Sequence, residues 1–244
     1  MRILSYNIFN CFESTGGSAR LLEACVRLVP EVLLLNEYRV NAEGQRLRAE
    51  LEQAGYVHHE VGRSVGNRDV VAVFSRGPFC TVANSERVRM VAVELGGVRL
   101  VAYHASPRGV ASVLAELPDV EAVARGHDEV VLAGDLNSLA AGDAWALGCG
   151  GDMMHMERYQ LDGRLNFKVV AQIEAWGMKD LGGRVHTVPT RLGRKAEAGR
   201  LLRLDYAFAR GVRVEAWRAR VLHGEPFDTM SDHYPVLIEG TDTF

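Results

Sequence analysis

Six stretches of this chain end an apolar run on a side chain able to bind a metal or move a proton. "LSYNIFN" carries Asn7, "VLLLNEY" carries Glu37 and "LVAYHAS" carries His104. "VVLAGDLN" stops on Asp135 and Asn137, "LRLDYAF" holds Asp205, and "TMSDHYPV" presents Asp232 and His233 before a last apolar run. One Asp or Asn at such a place is an ordinary turn former. Six such ends together supply what hydrolysis of a phosphate ester on a hard cation requires. Carboxylate oxygens can hold the cation, a carboxylate can orient water, and amide and imidazole N–H groups can meet phosphoryl oxygens. Strand ends are rigid platforms, so their side chains can converge on one rim of a sheet. Asn137 lies two residues after Asp135 and in an extended chain would face the same side.

The elements that must position these residues can be read from periodicity. "RILSYNI" and "EVLLLNE" read as strands, the second buried on both faces. Between them "SARLLEACVRLV" places Leu21, Leu22, Cys25 and Leu28 on one helical face, with Ser18 as N-cap. "EGQRLRAELEQAG" carries Leu47, Leu51 and Ala54 on one stripe and ends at Gly55. Strands then crowd together in "YVHHEV", "VVAVFS", "RVRMVAVEL" and "VRLVAYH", the last two joined through Gly96-Gly97 as a hairpin. A helical segment near 109–125 leads into "EVVLAGD", a polar Gly-rich stretch covers about 140–165, and "NFKVVAQIEAWG" reads as a helix. "RLDYAFA", "VRVEAWRARV" and "YPVLIEG" are the final strands. No linker or repeat divides the chain, so 1–244 reads as one α/β domain with two sheet layers and helices outside.

The ordered set "SYN", "LLLNE", "YH", "GDLN", "RLDY" and "SDHYP" resembles the endonuclease/exonuclease/phosphatase superfamily. The likeness runs from Asn7 to Pro235 and also takes in "VVAVFSR" and "HTVPT". It implies a four-layer α/β sandwich, two packed mixed sheets with helices on the outside. It implies a Mg²⁺ or Mn²⁺ cofactor, with Glu37 as metal ligand, Asn7 close by and Asp232 as a second ligand. Asp135 corresponds to the water-orienting carboxylate, Asn137 to a donor to the phosphoryl group, and His233 to the phosphate-contacting histidine oriented by Asp205. His104 matches a further histidine that protonates the leaving oxygen or stabilises a phosphoryl oxygen. Thr187 and Thr190, in "HTVPT", join the substrate contacts. Departures exist: Asn36 replaces the usual Gln, and Phe9 stands where some members carry an acid. Asp69 is the nearest candidate for a carboxylate partner of His104.

Substrate is less legible. "RLGRKAEAGRLLR" concentrates Arg191, Arg194, Lys195, Arg200 and Arg203 just before Asp205, a loop suited to polyanions or simply solvated. "GDMMHMERYQLDGRL" reads as a segment that could cover the site. The 244 residues are 48% hydrophobic with net charge −3, so no global basic field announces nucleic acid. Four scattered cysteines form neither a zinc pattern nor a disulfide framework, and no run nears the roughly 18 apolar residues of a membrane span. The expectation is a monomeric, cytoplasmic, metal-dependent phosphodiesterase or nuclease. A phosphomonoesterase on a small, sugar or inositol phosphate is the alternative, and an inactive binding module the third.

Overall fold

A computed structural model describes residues 1–9, 17–63, 69–143, 156–192 and 201–241. Its strands form two six-stranded mixed sheets. The first has the order β13 (Trp217–Val221), β14 (Val236–Gly240), β1 (Arg2–Asn7), β2 (Val32–Arg39), β4 (Asp69–Ser75), β3 (His58–Val61). The second runs β11 (Lys179–Asp180), β12 (Asp205–Arg210), β8 (Val130–Asp135), β7 (Val98–Tyr103), β6 (Met90–Leu95), β5 (Cys80–Asn84). Only β1–β2 and β7–β8 pair in parallel. Those four strands therefore deliver their C-terminal ends to one rim, and antiparallel β12 and β14 begin there.

Alternation of side chains across these strands creates three apolar layers. Ile3, Leu34, Val73, Val93, Leu100, Ala133 and Ile238 pack between the sheets. Leu4, Tyr6, Leu33, Leu35 and Phe74 face outward onto α1 (Gly17–Leu28) and α2 (Ala42–Gln53) through Leu21, Cys25, Leu47 and Leu51. Val101, Tyr103, Leu132 and Phe208 face α3 (Val110–Arg125) and α4 (Lys168–Ala175) through Val113, Leu117, Val120, Val169 and Ile173. The result is the four-layer α/β/β/α sandwich. Strands β2 and β8 face apolar layers on both sides, which is why their sequences read as unbroken hydrophobic runs.

Several expectations hold in detail. Gly96 and Gly97 turn the β6–β7 hairpin with φ of 58° and 73°, and Gly55 follows α2 with φ of 96°. Others shift. Ser18 lies inside α1 rather than capping it, because the helix begins at Gly17. Strand β5 had no legible pattern: it is a sheet edge with Cys80, Thr81 and Val82 exposed, so nothing forces alternation. Among the described residues of the Gly-rich stretch, a short hairpin, β9 (Gln160–Leu161) with β10 (Arg164–Leu165), follows a 3-10 turn at Glu157–Tyr159.

Candidate metal–phosphate site

Glu37 is aimed by a defect in β2. The β2–β4 register slips between Leu35 and Tyr38, so β2 carries one extra residue there. Glu37 sits in that bulge with φ of 59°, a left-handed backbone that holds the carboxylate at the rim. Asn7 closes β1 beside it. Its Nδ2 donates to Glu37 Oε1 at 3.0 Å and to Asp135 Oδ2 at 3.2 Å, while its Oδ1 accepts from the Phe9 N–H. Asn7 thus ties the carboxylates of the two sheets together. Ser231 anchors this end of β1 from the other side, donating from Oγ to the Asn7 carbonyl at 2.7 Å.

Asp135 ends β8, and its backbone N–H donates to Asn36 Oδ1 at 3.2 Å. The shorter Asn36 therefore acts as a cross-sheet brace. Asn137 shares the face of Asp135, but not through strand periodicity: β8 has ended, and Asn137 has φ of 44°. A local turn does the work, with the Asn137 N–H donating to Asp135 Oδ1 at 2.8 Å. The Asn137 side chain donates from Nδ2 to the Ala105 carbonyl at 3.0 Å.

Two histidines complete the rim, and their environments drive them apart. Burial opposes charge on His233, but Asp205, whose Oδ2 lies 2.7 Å from His233 Nδ1, outweighs it and lifts the imidazole to about 10. Asp135 and Asp232 add to that rise. The free Nε2 lies 3.9 Å from Asp135 Oδ2. His104 is buried without a bonded carboxylate. Burial and then the Arg89 charge push it down to about 3, so its ring is neutral. Its Nε2 lies 3.7 Å from both Glu37 Oε1 and Asp135 Oδ2, and its Nδ1 has no hydrogen-bond partner among the described residues. Asp69 is therefore not its hydrogen-bonded mate; that carboxylate lines the cavity and lies 3.7 Å from Arg39.

These groups border an open cavity of about 340 Å³, whose walls include Glu37, His104, Asp135, Asn137, Asp232 and His233. Ligand atoms of Glu37, His104 and Asp135 lie within 4.8 Å of one another, as do those of Asp135, Asp205 and His233. Burial pushes the Glu37 carboxyl up to about 7, the Asn7 bond and His233 only partly offsetting it. Among the described residues, no Lys or Arg lies at ion-pair distance from Glu37, Asp135 or Asp232. Three carboxylates facing a cavity with a single imidazolium, that of His233, to offset them fit a hard divalent cation.

Of the remaining expected substrate contacts, Thr187, Thr190 and Arg191 are not among the walls of this cavity. Thr187 is buried, and its Oγ1 accepts from the N–H groups of Leu204 at 3.0 Å and Asp205 at 3.1 Å. Thr190 is buried too, donating its hydroxyl to the Ser231 carbonyl and its N–H to that of Asp232 at 3.2 Å. Both brace the segments that carry Asp205 and Asp232, because two backbone stretches cross there and leave the hydroxyls no path outward. Arg191 points away, 72% exposed and held 3.4 Å from Asp228 and 3.7 Å from Glu225. Arg203 is buried between Asp143 and Asp180 at 2.9 and 2.7 Å. Arg194, Lys195 and Arg200 lie outside the described residues. Sequence reading missed Arg89 and Arg158 as cavity walls; nothing in their spacing marks them.

This two-sheet sandwich fold has many solved counterparts. An AP endonuclease from Archaeoglobus fulgidus superposes with a TM-score of 0.74 at 17% identity, covering 98% of this chain and 99% of that one. The 3′ phosphatase NExo from Neisseria, solved with a product DNA hairpin, gives 0.72 at 19% identity over 99% of both chains. An endonuclease/exonuclease/phosphatase from Beutenbergia cavernae gives 0.65 at 22% identity, covering 98% of this chain and 70% of that one. No curated protein matches in sequence. The model of the Endonuclease/Exonuclease/phosphatase family matches residues 4–233, and the chain belongs to that family. It is accordingly a phosphoric ester hydrolase. Among the described residues no helix is long and apolar enough to cross a membrane.

Proposed function

We propose that this chain is a divalent-metal-dependent phosphodiesterase acting as a nuclease, with Mg²⁺ or Mn²⁺ as cofactor. The observation that carries the reading is the convergence of Glu37, Asp135 and Asp232 on one cavity, with no Lys or Arg at ion-pair distance among the described residues, beside the imidazolium of His233. Glu37 and Asp232 would hold the cation with Asn7 fixing the Glu37 carboxylate, and the bound charge would neutralise a phosphoryl oxygen. Asp135, held by Asn7 and by the Asn137 N–H, orients water and takes its proton. Asn137 keeps one amide hydrogen on Ala105 and turns the other to the phosphoryl group. His233 stays protonated beside Asp205 and presents Nε2–H to a phosphoryl oxygen. Neutral His104 serves as a hydrogen-bond donor from Nε2 toward the leaving oxygen. The structural neighbours named for DNA work, an AP endonuclease and a 3′ phosphatase, support a nucleic-acid substrate. The free Cys25 and Cys80 fit a reducing compartment such as the cytoplasm.

A phosphomonoesterase is the second reading, favoured by the phosphatase among those neighbours. Rates on bis-p-nitrophenyl phosphate and p-nitrophenyl phosphate with Mg²⁺ or Mn²⁺ separate the two. Full activity after chelation, or Mg²⁺ binding by Glu37→Gln that equals wild type in calorimetry, would end the metal reading.

A further inference from the structure

The cavity carries two cations that the chemistry above does not use. Arg89 donates from Nη2 to the Ala105 carbonyl at 2.6 Å, the same oxygen that accepts from Asn137 Nδ2. One carbonyl therefore holds a guanidinium and a phosphate-facing amide side by side. The Arg89 carbonyl in turn accepts from the His104 N–H at 2.9 Å, so Arg89 is fixed to the catalytic loop at both ends. Arg158 reaches the same cavity from the 3-10 turn at Glu157–Tyr159, its guanidinium 4.7 Å from the Tyr159 ring centroid. Its turn lies against the loop that follows His104, since a Cβ on Gly109 would sit 3.2 Å from the Arg158 carbonyl oxygen.

Both side chains are half-buried, and neither has a carboxylate at ion-pair distance among the described residues. Elsewhere in the chain the buried Arg99 and Arg203 are matched by Glu94, Asp143 and Asp180. Two cations lining a cavity, tethered by hydrogen bonds and with no carboxylate at ion-pair distance among the described residues, are placed for an anionic ligand. The carboxylates take up the cation and the centre takes one phosphate, so this second anion is a different group of the substrate.

The geometry points to Arg89 and Arg158 as a second anion subsite that grips a phosphate next to the one cleaved, so that the substrate is a polynucleotide strand. The inference rests on the phosphodiesterase reading. A strand is favoured over inorganic polyphosphate because Phe9 also lines the cavity, and an aromatic face suits a base or sugar. Arg191 itself is already paired with Glu225 and Asp228, whereas Arg158 faces the cavity.

The test compares the full chain with Arg158→Ala, Arg158→Lys and Arg89→Ala. Binding of a fluorescent single-stranded 12-mer in EDTA is followed by anisotropy at several salt concentrations. Each Ala variant should weaken binding about tenfold or more, as for a hydrogen bond to a charged group. Each should also reduce the slope of log K against log salt by about 0.7, one released counterion per guanidinium. Arg158→Lys should recover the salt slope but only part of the affinity. In Mg²⁺, the ratio of kcat/KM on the 12-mer to that on bis-p-nitrophenyl phosphate should fall in both Ala variants. An unchanged salt slope, or equal losses on both substrates, would overturn the subsite, and so would displacement of the 12-mer by tripolyphosphate at matched phosphate concentration. Arg158→Ala carries the test if Arg89→Ala, which also loses the Ala105 bond, melts early. A wild type that cleaves the small diester yet binds the 12-mer independently of both arginines refutes the subsite alone. Arginine-dependent binding without hydrolysis of any ester refutes the phosphodiesterase reading alone.

Discussion

Replacing Gly134 with alanine would place a methyl carbon where the neighbouring strand already is. Gly134 precedes Asp135 in β8 and has φ of 143°, and an added Cβ would lie 2.0 Å from the Tyr103 carbonyl oxygen and 3.0 Å from Asn36 Oδ1. The oxygen belongs to the backbone of β7 and cannot rotate away, so β7 and β8 must part by at least about 1 Å before the contact becomes tolerable. Overpacking of this kind costs roughly 1–3 kcal/mol. A side chain held at that φ adds roughly 1–3 kcal/mol. The sum, about 2–6 kcal/mol, is a large part of the roughly 5–15 kcal/mol that holds a domain together. For a chain of this size it should lower Tm by roughly 5–20 °C. The same displacement moves His104, next to Tyr103, relative to Asp135, and an error of about 1 Å in a reacting assembly can cost roughly 10²-fold in rate. Gly97→Ala is the control: its φ is 73°, but nothing lies within 4 Å of the added Cβ, so only a left-handed cost of about 1–2 kcal/mol applies. Melting curves and hydrolysis of bis-p-nitrophenyl phosphate for both variants decide the matter. A Gly134→Ala protein that melts and turns over like Gly97→Ala would refute the claim that β7–β8 contact sets the site.

Asp205→Asn should lower kcat by roughly 10²-fold or more, because the His233 imidazolium loses the partner that outweighs burial; unchanged turnover would place His233 outside the chemistry. The raised His233 value also predicts a stability trend in the chelated protein. The contribution of the pair is full below about 6.5, the unfolded value, and is lost as pH rises toward about 10. The wild type should therefore lose its Tm advantage over Asp205→Asn across that window, and parallel Tm curves would contradict the assignment. Arg191→Ala should leave kcat/KM on a short oligonucleotide within about twofold and change stability by less than about 1 kcal/mol, as for other exposed ion pairs; a large rise in KM would return Arg191 to substrate binding. In a Cys11→Ser, Cys149→Ser background, one thiol should react promptly with Ellman's reagent, from exposed Cys80, and a second only on unfolding. Burial pushes the Cys25 thiol up to about 12, so two prompt thiols in the native state would show that α1 does not seal its face of the sheet.

Much of this protein is legible in one dimension because strands and helices answer to local periodicity. Unbroken apolar runs such as Val32–Leu35 and Val130–Ala133 mark strands covered on both faces, and their abrupt polar ends mark the rim. Asn7, Glu37, His104, Asp135, Asn137, Asp232 and His233 could be nominated for that reason, and the ordering of their motifs points to the family. What surrounds them depends on groups distant in sequence. Asn7 bonds Asp135 across 128 positions, and Thr187 turns inward because two segments cross over it. The bulge at Glu37 arises from pairing with β4, and the turn at Asn137 from the Asp135 side chain, so neither follows from period-two alternation. The opposite protonation of the two histidines is tertiary as well: both are buried, and only the one hydrogen-bonded to a buried carboxylate stays charged. Arg89 and Arg158 stand among 28 basic residues with no distinguishing spacing, and only folding turns these two to the cavity with no carboxylate at ion-pair distance among the described residues.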